Sequence, residues 1–220
     1  MFKLLFFEML KGKSLLRTLT NQWVSKITIS GNGIDLGARN NKSSYFRFIN
    51  KGENCHVLYC DLDPQTSDVI KVNLEEKIPI ESETKDFLLL MHVLEHLFDY
   101  QNCIDECHRI LKPGKPLIGC VPFLYQIHMD PDDNFRYTAS GLSKIFEKAG
   151  YSKVEVFPLG FGPFSAGASQ YAGVFKIKVF VFSIVYVSVL MDRVLNKFIP
   201  NHHRLKPANF PLAYGFIATK

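Results

Sequence analysis

Short apolar runs alternate with helical patterns between residues 26 and 159, and this alternation is typical of a mostly parallel sheet covered by helices. The first run, Gly33-Ile-Asp-Leu-Gly37, encloses one acid and stops at a glycine, as a buried strand that ends in a tight turn does. The same patterns predict strands over 56–60, 69–74, 86–91, 117–121, 153–157 and 213–219, and helices over 45–49, 100–111 and 141–149, the last capped by Ser140.

The two ends of the chain follow other patterns. Residues 1–25 carry apolar and basic positions at helical spacing, which predicts an amphipathic helix that packs on the domain or lies on a membrane surface. Residues 160–173 are rich in glycine and small side chains and are predicted as a loop. Residues 179–191 carry no charge but are fewer than the roughly twenty that a membrane-spanning helix needs, so they predict either a buried helix or a helix at a bilayer surface.

These patterns divide the chain into four parts: an amphipathic helix (1–25), an α/β core (26–159), a hydrophobic helical insertion (160–210) and the last strand of the core (211–220).

The net charge of +5, from 26 basic and 21 acidic residues, suits an anionic substrate or a membrane surface, and no nucleic-acid motif is present. The five cysteines form no CxxC pair, which indicates reduced thiols and a cytoplasmic protein. Cys103, Cys107 and His108 lack a second ligand pair, so we predict no metal site.

Five short motifs then follow one another in a specific order. They are Ile34-Asp-Leu-Gly37, Asp61, Asn73-Leu74, His92-Val-Leu-Glu-His-Leu97 and Ile110-Leu-Lys-Pro-Gly114. In this order the chain resembles class I S-adenosylmethionine-dependent methyltransferases, of the methyltransferase type 11 kind. The later series Val121-Pro-Phe and His128-x-x-Pro131-x-Asp133-x-Phe135-Arg-Tyr-Thr138 is similar to that of small methyltransferases of bacterial surface-polysaccharide biosynthesis. The resemblance implies a Rossmann-like, doubly wound sheet of seven strands, with the insertion before the last strand.

The resemblance also implies S-adenosyl-L-methionine as cofactor. Asp61 would accept hydrogen bonds from the ribose hydroxyls, with Asp63 as an alternative, unless Asp61 merely caps the turn before Pro64. Asn73 is either an adenine contact or an ordinary turn residue, and Asp35 either pairs with the cofactor ammonium or orients the first loop. Backbone at Gly37 and His92, with turn N–H groups free for a ligand, would hold the methionine end. The full set of predicted cofactor contacts is Asp35, Gly37, Ala38, Asp61, Leu62, Asn73, Leu74 and His92.

Methyl transfer to a hydroxyl is assisted by a nearby base, and histidine suits this task near neutral pH. We predict His128 as this base, with His96 as its rival or as an orienting residue. Asp133 would orient the base, while Arg136 and Tyr137 would hold an acidic or sugar substrate. The alternative for Arg136 is an ion pair with Asp132 or Asp133 that fixes the loop.

The sequence thus favours O-methylation of a small-molecule or lipid-linked sugar at the inner face of the cell membrane, with peripheral membrane contact through residues 174–199. A non-catalytic partner of a polysaccharide assembly complex is the alternative, because Arg39 and Asn41 stand where the first loop of the family usually has glycines. A quinone or small-lipid methyltransferase is a third hypothesis. No GxGxxG follows the first strand, which argues against a nicotinamide enzyme, and the oligomeric state is open.

Overall fold

A computed structural model of the chain describes residues 7–39, 43–172, 174, 177–199 and 206–220. Its strands are β1 (Thr28–Ile29), β2 (Asn32–Leu36), β3 (Asn50–Lys51), β4 (His56–Asp61), β5 (Val69–Lys71), β6 (Phe87–Met91), β7 (Pro116–Pro122), β8 (Lys153–Leu159) and β9 (Ala213–Thr219). Its helices are α1 (Leu15–Val24), α2 (Tyr100–Ile110), α3 (Ala139–Lys148), α4 (Pro163–Tyr171) and α5 (Lys178–Phe198), with 3₁₀ turns at Ser44–Arg47 and Pro207–Asn209.

Seven strands form one sheet in the order β5-β4-β2-β6-β7-β9-β8, and β1 pairs with β3 apart from it. The first five strands of that order run parallel, while β9 runs antiparallel between β7 and β8. The parallel strands therefore end at one common edge, which is where open α/β sheets bind their ligands. The predicted fold class and the return of the chain as a last strand are confirmed.

Both faces of the sheet are covered, because its central strands are apolar along their whole length. All five residues of β6 are buried, as a strand between two helical layers requires. One core contains Ile104 of α2 and Phe146 of α3. The opposite core contains Trp23 of α1 and Val185 of α5, so the insertion completes the second layer.

One predicted helix start and one predicted continuous helix are wrong in detail. The helical segment at residues 7–10 and α1 are separate, because the chain turns at Gly12, whose φ of 82° lies in the left-handed region. α1 packs on the domain, with Ser14 as its N-cap, and residues 1–6 lie outside the described part. α3 is capped by Thr138 rather than by Ser140, since the Thr138 hydroxyl accepts a hydrogen bond from the Gly141 N–H.

The predicted loop at 160–173 is also wrong, because most of it forms α4; residue 173 lies outside the described part. Small side chains let α4 pack closely on α5, and a buried carboxylate supplies the missing cap. Asp192 of α5 accepts hydrogen bonds from the backbone N–H groups of Phe164 and Ser165, at 3.0 and 2.8 Å. This cap comes from a residue distant in sequence, so local composition does not reveal it.

α5 is longer and more exposed than its sequence pattern indicates. It spans 21 residues, and only 17% of its most apolar window is buried. Val185, Val189 and Asp192 face the domain, whereas Val187, Leu190 and Val194 are exposed. By length and composition alone, α5 is the one helix among the described residues that could cross a membrane.

A buried acid supports the end of the first long strand. Asp35 is fully buried in β2, and the Tyr45 hydroxyl, in the 3₁₀ turn that follows, lies 2.6 Å from both of its carboxylate oxygens. Burial raises the pKa of Asp35 to about 7, although the tyrosine hydrogen bond acts in the opposite direction. The pair joins the first loop to β2. Two roles were considered for Asp35, pairing with the cofactor ammonium and orienting the first loop, and this contact corresponds to the second.

Asp35 should make the protein less stable as the pH rises from about 4 to about 7. In the unfolded chain an aspartate loses its proton near pH 3.8, whereas folded Asp35 holds it until about pH 7. The unfolded chain binds fewer protons in this window, so the free energy of unfolding falls with rising pH, by on the order of a few kcal/mol. We expect Asp35→Asn to flatten this fall, as measured by urea unfolding between about pH 4 and 8.

Tyr45→Phe is the matched control for this prediction. It removes the donor that favours the carboxylate, so the pKa of Asp35 should rise further and the loss of stability should extend to higher pH. If Asp35→Asn leaves the pH dependence of unfolding unchanged, the buried proton does not reside on Asp35.

Candidate cofactor and acceptor site

The first loop leaves β2 at Gly37 and is held to β4 by backbone hydrogen bonds. The N–H groups of Gly37 and Ala38 both donate to the Cys60 carbonyl, at 2.8 and 3.0 Å. The His92 N–H donates to the Cys120 carbonyl at 2.7 Å. The expectation that the N–H groups of the first turn are free for a ligand is therefore wrong at Gly37 and Ala38, and the His92 N–H is paired as well.

Gly37 is required where it stands. Its φ is 78°, and a Cβ there would lie 2.3 Å from a methyl carbon of Val93. Arg39, where the related family usually has a glycine, also has a positive φ, 38°. The loop therefore keeps the backbone conformation of a glycine-rich turn at this position and carries a charged side chain on it. Asn41 lies outside the described residues.

A cavity of about 420 Å³ opens beside this loop. Its walls come from the first loop, from the 3₁₀ turn and from the start of α1. Lys13, Arg17 and Arg39 line it, and Arg17 also donates to the Ser44 hydroxyl at 3.3 Å. Its size is that of a small-ligand pocket, and its three cationic side chains favour an anionic group such as a carboxylate.

Asp61 ends β4 at the rim of this loop. Its two carboxylate oxygens accept hydrogen bonds from the N–H groups of Arg39 and Asp63, at 2.8 and 2.9 Å. Each carboxylate oxygen can accept a further hydrogen bond, and the side chain is only half-buried. Asp63 is exposed and accepts from Gln65 instead. The geometry therefore leaves Asp61 able to accept hydroxyl groups while it holds the loop in place.

The predicted adenine-side residues lie one strand further along the edge. The Asn73 amide donates to Glu76 at 2.9 Å and accepts from the Glu75 N–H at 3.1 Å, so it forms a local turn. Leu74 is buried, whereas the Leu62 side chain is 49% exposed. Of these three, Leu62 offers an apolar surface to a ligand, and the adenine contact of Asn73 stays a prediction.

Taken together, these residues fit S-adenosylmethionine. An acceptor for a diol (Asp61), an exposed apolar side chain (Leu62) and a basic cavity beside a glycine turn lie along one edge of the sheet. Arg39 is the departure, because its guanidinium donates to Asp130 at 2.8 Å and so joins the first loop to the loop after β7. Both side chains of this pair are about half exposed, so the pair contributes little stability and can open.

A second cluster surrounds Glu95, in the turn after β6. Glu95 is completely buried, and neither of its carboxylate oxygens has a hydrogen-bond partner among the described residues. His92, His96 and His128 each place one ring nitrogen 3.7–3.8 Å from the same oxygen, Oε1. Burial raises the pKa of Glu95 to about 8 and lowers that of His92 to about 3. His92 itself has a φ of 57°.

The loop after β7 brings His128 to this cluster. Asp133, whose side chain is fully buried, accepts from the His128 N–H at 2.9 Å and lies 3.4 Å from His128 Nδ1. Arg136 donates to both oxygens of Asp133 and lowers the pKa of that carboxyl to about 2. Burial lowers the pKa of His128, although the Asp133 carboxylate acts in the opposite direction, and this favours the neutral imidazole. The predicted orientation of His128 by Asp133 thus has a geometric basis, and Arg136 makes the ion pair that was its alternative role.

Tyr137 does not face an acceptor. Its ring is buried, and its hydroxyl donates to the Leu94 carbonyl at 3.2 Å. The prediction that Tyr137 holds a substrate is wrong for this structure, because the side chain packs in the core beneath the loop. His96 bonds through Nδ1 to the Asp132 carbonyl, which fixes its ring and leaves Nε2 directed at Glu95.

Sequence reasoning missed three contributors to the site. Glu95 lies inside the predicted His92–Leu97 motif, and its spacing of three residues from His92 and one from His96 could have identified it. Arg17 is distant in sequence, and only the fold brings it to the cavity. Thr20 of α1 contacts the His92 ring, at 3.2 Å from Nε2, and has no local signal either.

Comparison with known proteins gives one family match and several solved structures of the same fold. Residues 35–118 match the family described as "Methyltransferase domain", and a search of curated proteins gives no significant match. A SAM-dependent methyltransferase from Thermotoga maritima is similar, with a TM-score of 0.60 and 15% identity over 98% of this chain and 93% of that one. One from Archaeoglobus fulgidus has a TM-score of 0.57 and 18% identity, covering 98% of both chains.

A Haemonchus contortus phosphoethanolamine N-methyltransferase, solved in complex with S-adenosyl-L-methionine, has a TM-score of 0.54 and 12% identity over 91% of this chain and 52% of that one. At such identities the solved structures establish the fold. Residues 35–118 thus match a methyltransferase domain, and the chain has the class I methyltransferase fold.

Proposed function

We propose that this protein is an S-adenosylmethionine-dependent methyltransferase that methylates a hydroxyl oxygen of a sugar or glycolipid intermediate of surface-polysaccharide biosynthesis. The observation that carries the proposal is one shared edge of the sheet. The half-buried Asp61 and the basic cavity lie at the ends of β2 and β4, and the histidine cluster lies at the ends of β6 and β7. A methyl donor and a hydroxyl acceptor can therefore meet between them.

S-adenosylmethionine supplies a methyl group on a positively charged sulfur. On the protein side, Asp61 would accept hydrogen bonds from the ribose hydroxyls, and Arg17 and Lys13 would pair with the carboxylate of the methionine end. Because methyl transfer is an in-line displacement, positioning of the two reactants accounts for much of the catalysis. The loop hydrogen bonds at Gly37 and Arg39 fix that position on the cofactor side.

His128 is the residue we assign to the acceptor. Its imidazole, one third exposed, can take the proton of an attacking hydroxyl, and Asp133 holds the backbone of this residue by accepting from the His128 N–H. The sugar or glycolipid acceptor rests on the similarity of the His128–Thr138 series to polysaccharide-type methyltransferases. An N-methyl acceptor would need no such base once its amine is neutral.

We place the protein at the inner face of the cell membrane, attached through residues 174–199. Val187 and Val194 of α5 are 54% and 46% exposed, on the side away from the buried Val185 and Val189. Because one side of α5 is fixed to the domain, the helix suits a position in the plane of the membrane surface better than a transmembrane one. A lipid-linked acceptor would reach the site from the same surface.

A non-catalytic role is the second candidate, and Arg39 favours it. The Arg39–Asp130 ion pair crosses from the first loop to the loop after β7, over the edge where the cofactor would lie. A partner protein with this fold could keep the pair closed permanently. The cofactor titration that follows separates the two candidates.

Asp61→Asn should weaken binding of S-adenosylmethionine and S-adenosylhomocysteine by about 10- to 100-fold in calorimetric titration. The substitution keeps the size of the side chain but loses a charge-assisted acceptor, a loss of about 1.5–3 kcal/mol. Asp63→Asn is the matched control and should bind normally, since Asp63 is exposed and outside the loop contact. Absence of binding by the unaltered protein would reject the enzyme in favour of the non-catalytic candidate.

His128→Gln should reduce methyl transfer at least about 100-fold while cofactor affinity stays within about twofold, because a general base acts only on the chemical step. The assay follows labelled methyl groups into nucleotide sugars and polyprenyl-linked sugars, with S-adenosylhomocysteine as the second product. His56→Gln, on an exposed strand end, is the control. Equal turnover in the wild type and His128→Gln would remove His128 from the mechanism.

The variant Val187→Glu/Val194→Glu should lose most of its binding to anionic phospholipid vesicles in a co-sedimentation assay. Burying a carboxylate in lipid is costly, and both positions are solvent-exposed in the folded protein, so folding should be unaffected. Lys148→Glu on α3 makes the same change of two charge units elsewhere and should bind as the wild type does. Equal loss in both variants would show that net charge, and not α5, determines the binding.

A further inference from the structure

Four side chains after β6 and β7 form a cluster that hydrogen bonding does not explain. The Glu95 oxygens are buried and unpaired, and three imidazole nitrogens face Oε1 at 3.7, 3.8 and 3.8 Å. These distances are too long for hydrogen bonds, which lie near 2.7–3.2 Å. A buried carboxylate surrounded by ring nitrogens at that distance is costly unless something occupies the space between them.

The far nitrogen of two of the three imidazoles is held by an oxygen. His92 Nε2 lies 3.2 Å from the Thr20 hydroxyl, and His96 Nδ1 bonds to the Asp132 carbonyl. His128 Nδ1 lies 3.4 Å from Asp133 and has no hydrogen-bond partner among the described residues. An N–H directed at an outer oxygen leaves the lone pair of the other nitrogen directed inward. This pattern, an inward lone pair with an outer oxygen partner, is that of metal-ligating histidines.

We infer that Glu95, His96 and His128 bind a divalent transition-metal ion. The ligand atoms of these three residues lie within 4.8 Å of one another. Bonds of about 2.0–2.2 Å around one ion require neighbouring ligand atoms roughly 3.0–3.4 Å apart. The two imidazoles, 3.7 and 3.8 Å from Oε1, therefore need to approach it by about half an ångström, and the widest separation in the group needs to close by up to about 1.5 Å. Imidazole and carboxylate ligands suit Zn²⁺, Fe²⁺, Mn²⁺ or Ni²⁺, whereas Mg²⁺ and Ca²⁺ prefer oxygen ligands.

The position of the ion suggests its use, and this part rests on the proposed function. The His128 side chain is 33% exposed, so a coordination position on that side can open toward an acceptor. A metal-bound hydroxyl loses its proton more readily than a free one. In that arrangement His128 acts on the acceptor through the ion, in place of its role as a free base. The hydroxyl proton would leave to solvent, the acceptor oxygen would take the methyl group from the sulfur, and S-adenosylhomocysteine would leave.

The test is metal binding by the full chain, without an affinity tag, after removal of metal by a chelator. We expect one equivalent of Zn²⁺ in calorimetric titration and one of Co²⁺ with the visible absorption of a nitrogen- and oxygen-ligated ion, both without cofactor or acceptor. Glu95→Gln, which keeps the side-chain shape, and His96→Gln should each weaken binding at least about 100-fold. His128→Gln, at the most exposed ligand, is the variant least able to disturb folding.

The control is His202→Gln/His203→Gln, which removes the only adjacent histidine pair of the sequence and should leave one equivalent bound. Failure of the stripped protein to bind Zn²⁺, Co²⁺ or Mn²⁺, or equal binding by the Glu95→Gln variant, would overturn the site. Because these readouts need no methyl transfer, they stand or fall separately from the proposed function. If turnover is found and is unchanged after stripping, the role of the ion at the acceptor is overturned.

Discussion

The shared end of four parallel strands is the constraint on which the site depends. The ladders of β4, β2, β6 and β7 run in register, so Asp61, Gly37, His92 and the residues after Pro122 emerge at one edge. Interstrand hydrogen bonds then continue past the strands, from Gly37 and Ala38 to Cys60 and from His92 to Cys120. The turns that carry the functional groups are thus fixed by the sheet itself.

Much of this could be predicted from the sequence, because buried parallel strands leave a strong signal. The run Phe87–Met91 is apolar at every position and is followed by His92, and the first strand, β2, is followed by Gly37. The order of these runs, together with the motif series, predicted the fold, and Asp61, His92, His96 and His128 lie at the common edge of the sheet where the pattern placed them. Where structure follows from local pattern and burial, sequence reasoning succeeds.

The remainder depends on partners that are distant in sequence. The sequence of α4 predicts a loop because the residue that caps it, Asp192, belongs to another helix. The Gly37 N–H is predicted to be free because its acceptor, the Cys60 carbonyl, is distant in sequence. Tyr137 has the chemistry of a substrate contact, yet the fold buries it. Glu95 is the reverse case: it looks like an ordinary acid in a turn, and only its burial among three imidazoles makes it unusual.

The points at which the insertion leaves and rejoins the sheet have an architectural consequence. Leu159 and Ala213 are direct ladder partners, and the Leu212 N–H donates to the Leu159 carbonyl at 2.9 Å. Residues 160–212 are therefore an insertion whose two ends lie next to each other in the sheet. Lengthening such an insertion adds little to the entropic cost of bringing its ends together, because this cost grows only with the logarithm of the loop length. Evolution can accordingly change the length of this insertion, and with it the exposed apolar side of α5, while the edge of the sheet that carries the candidate site stays unchanged.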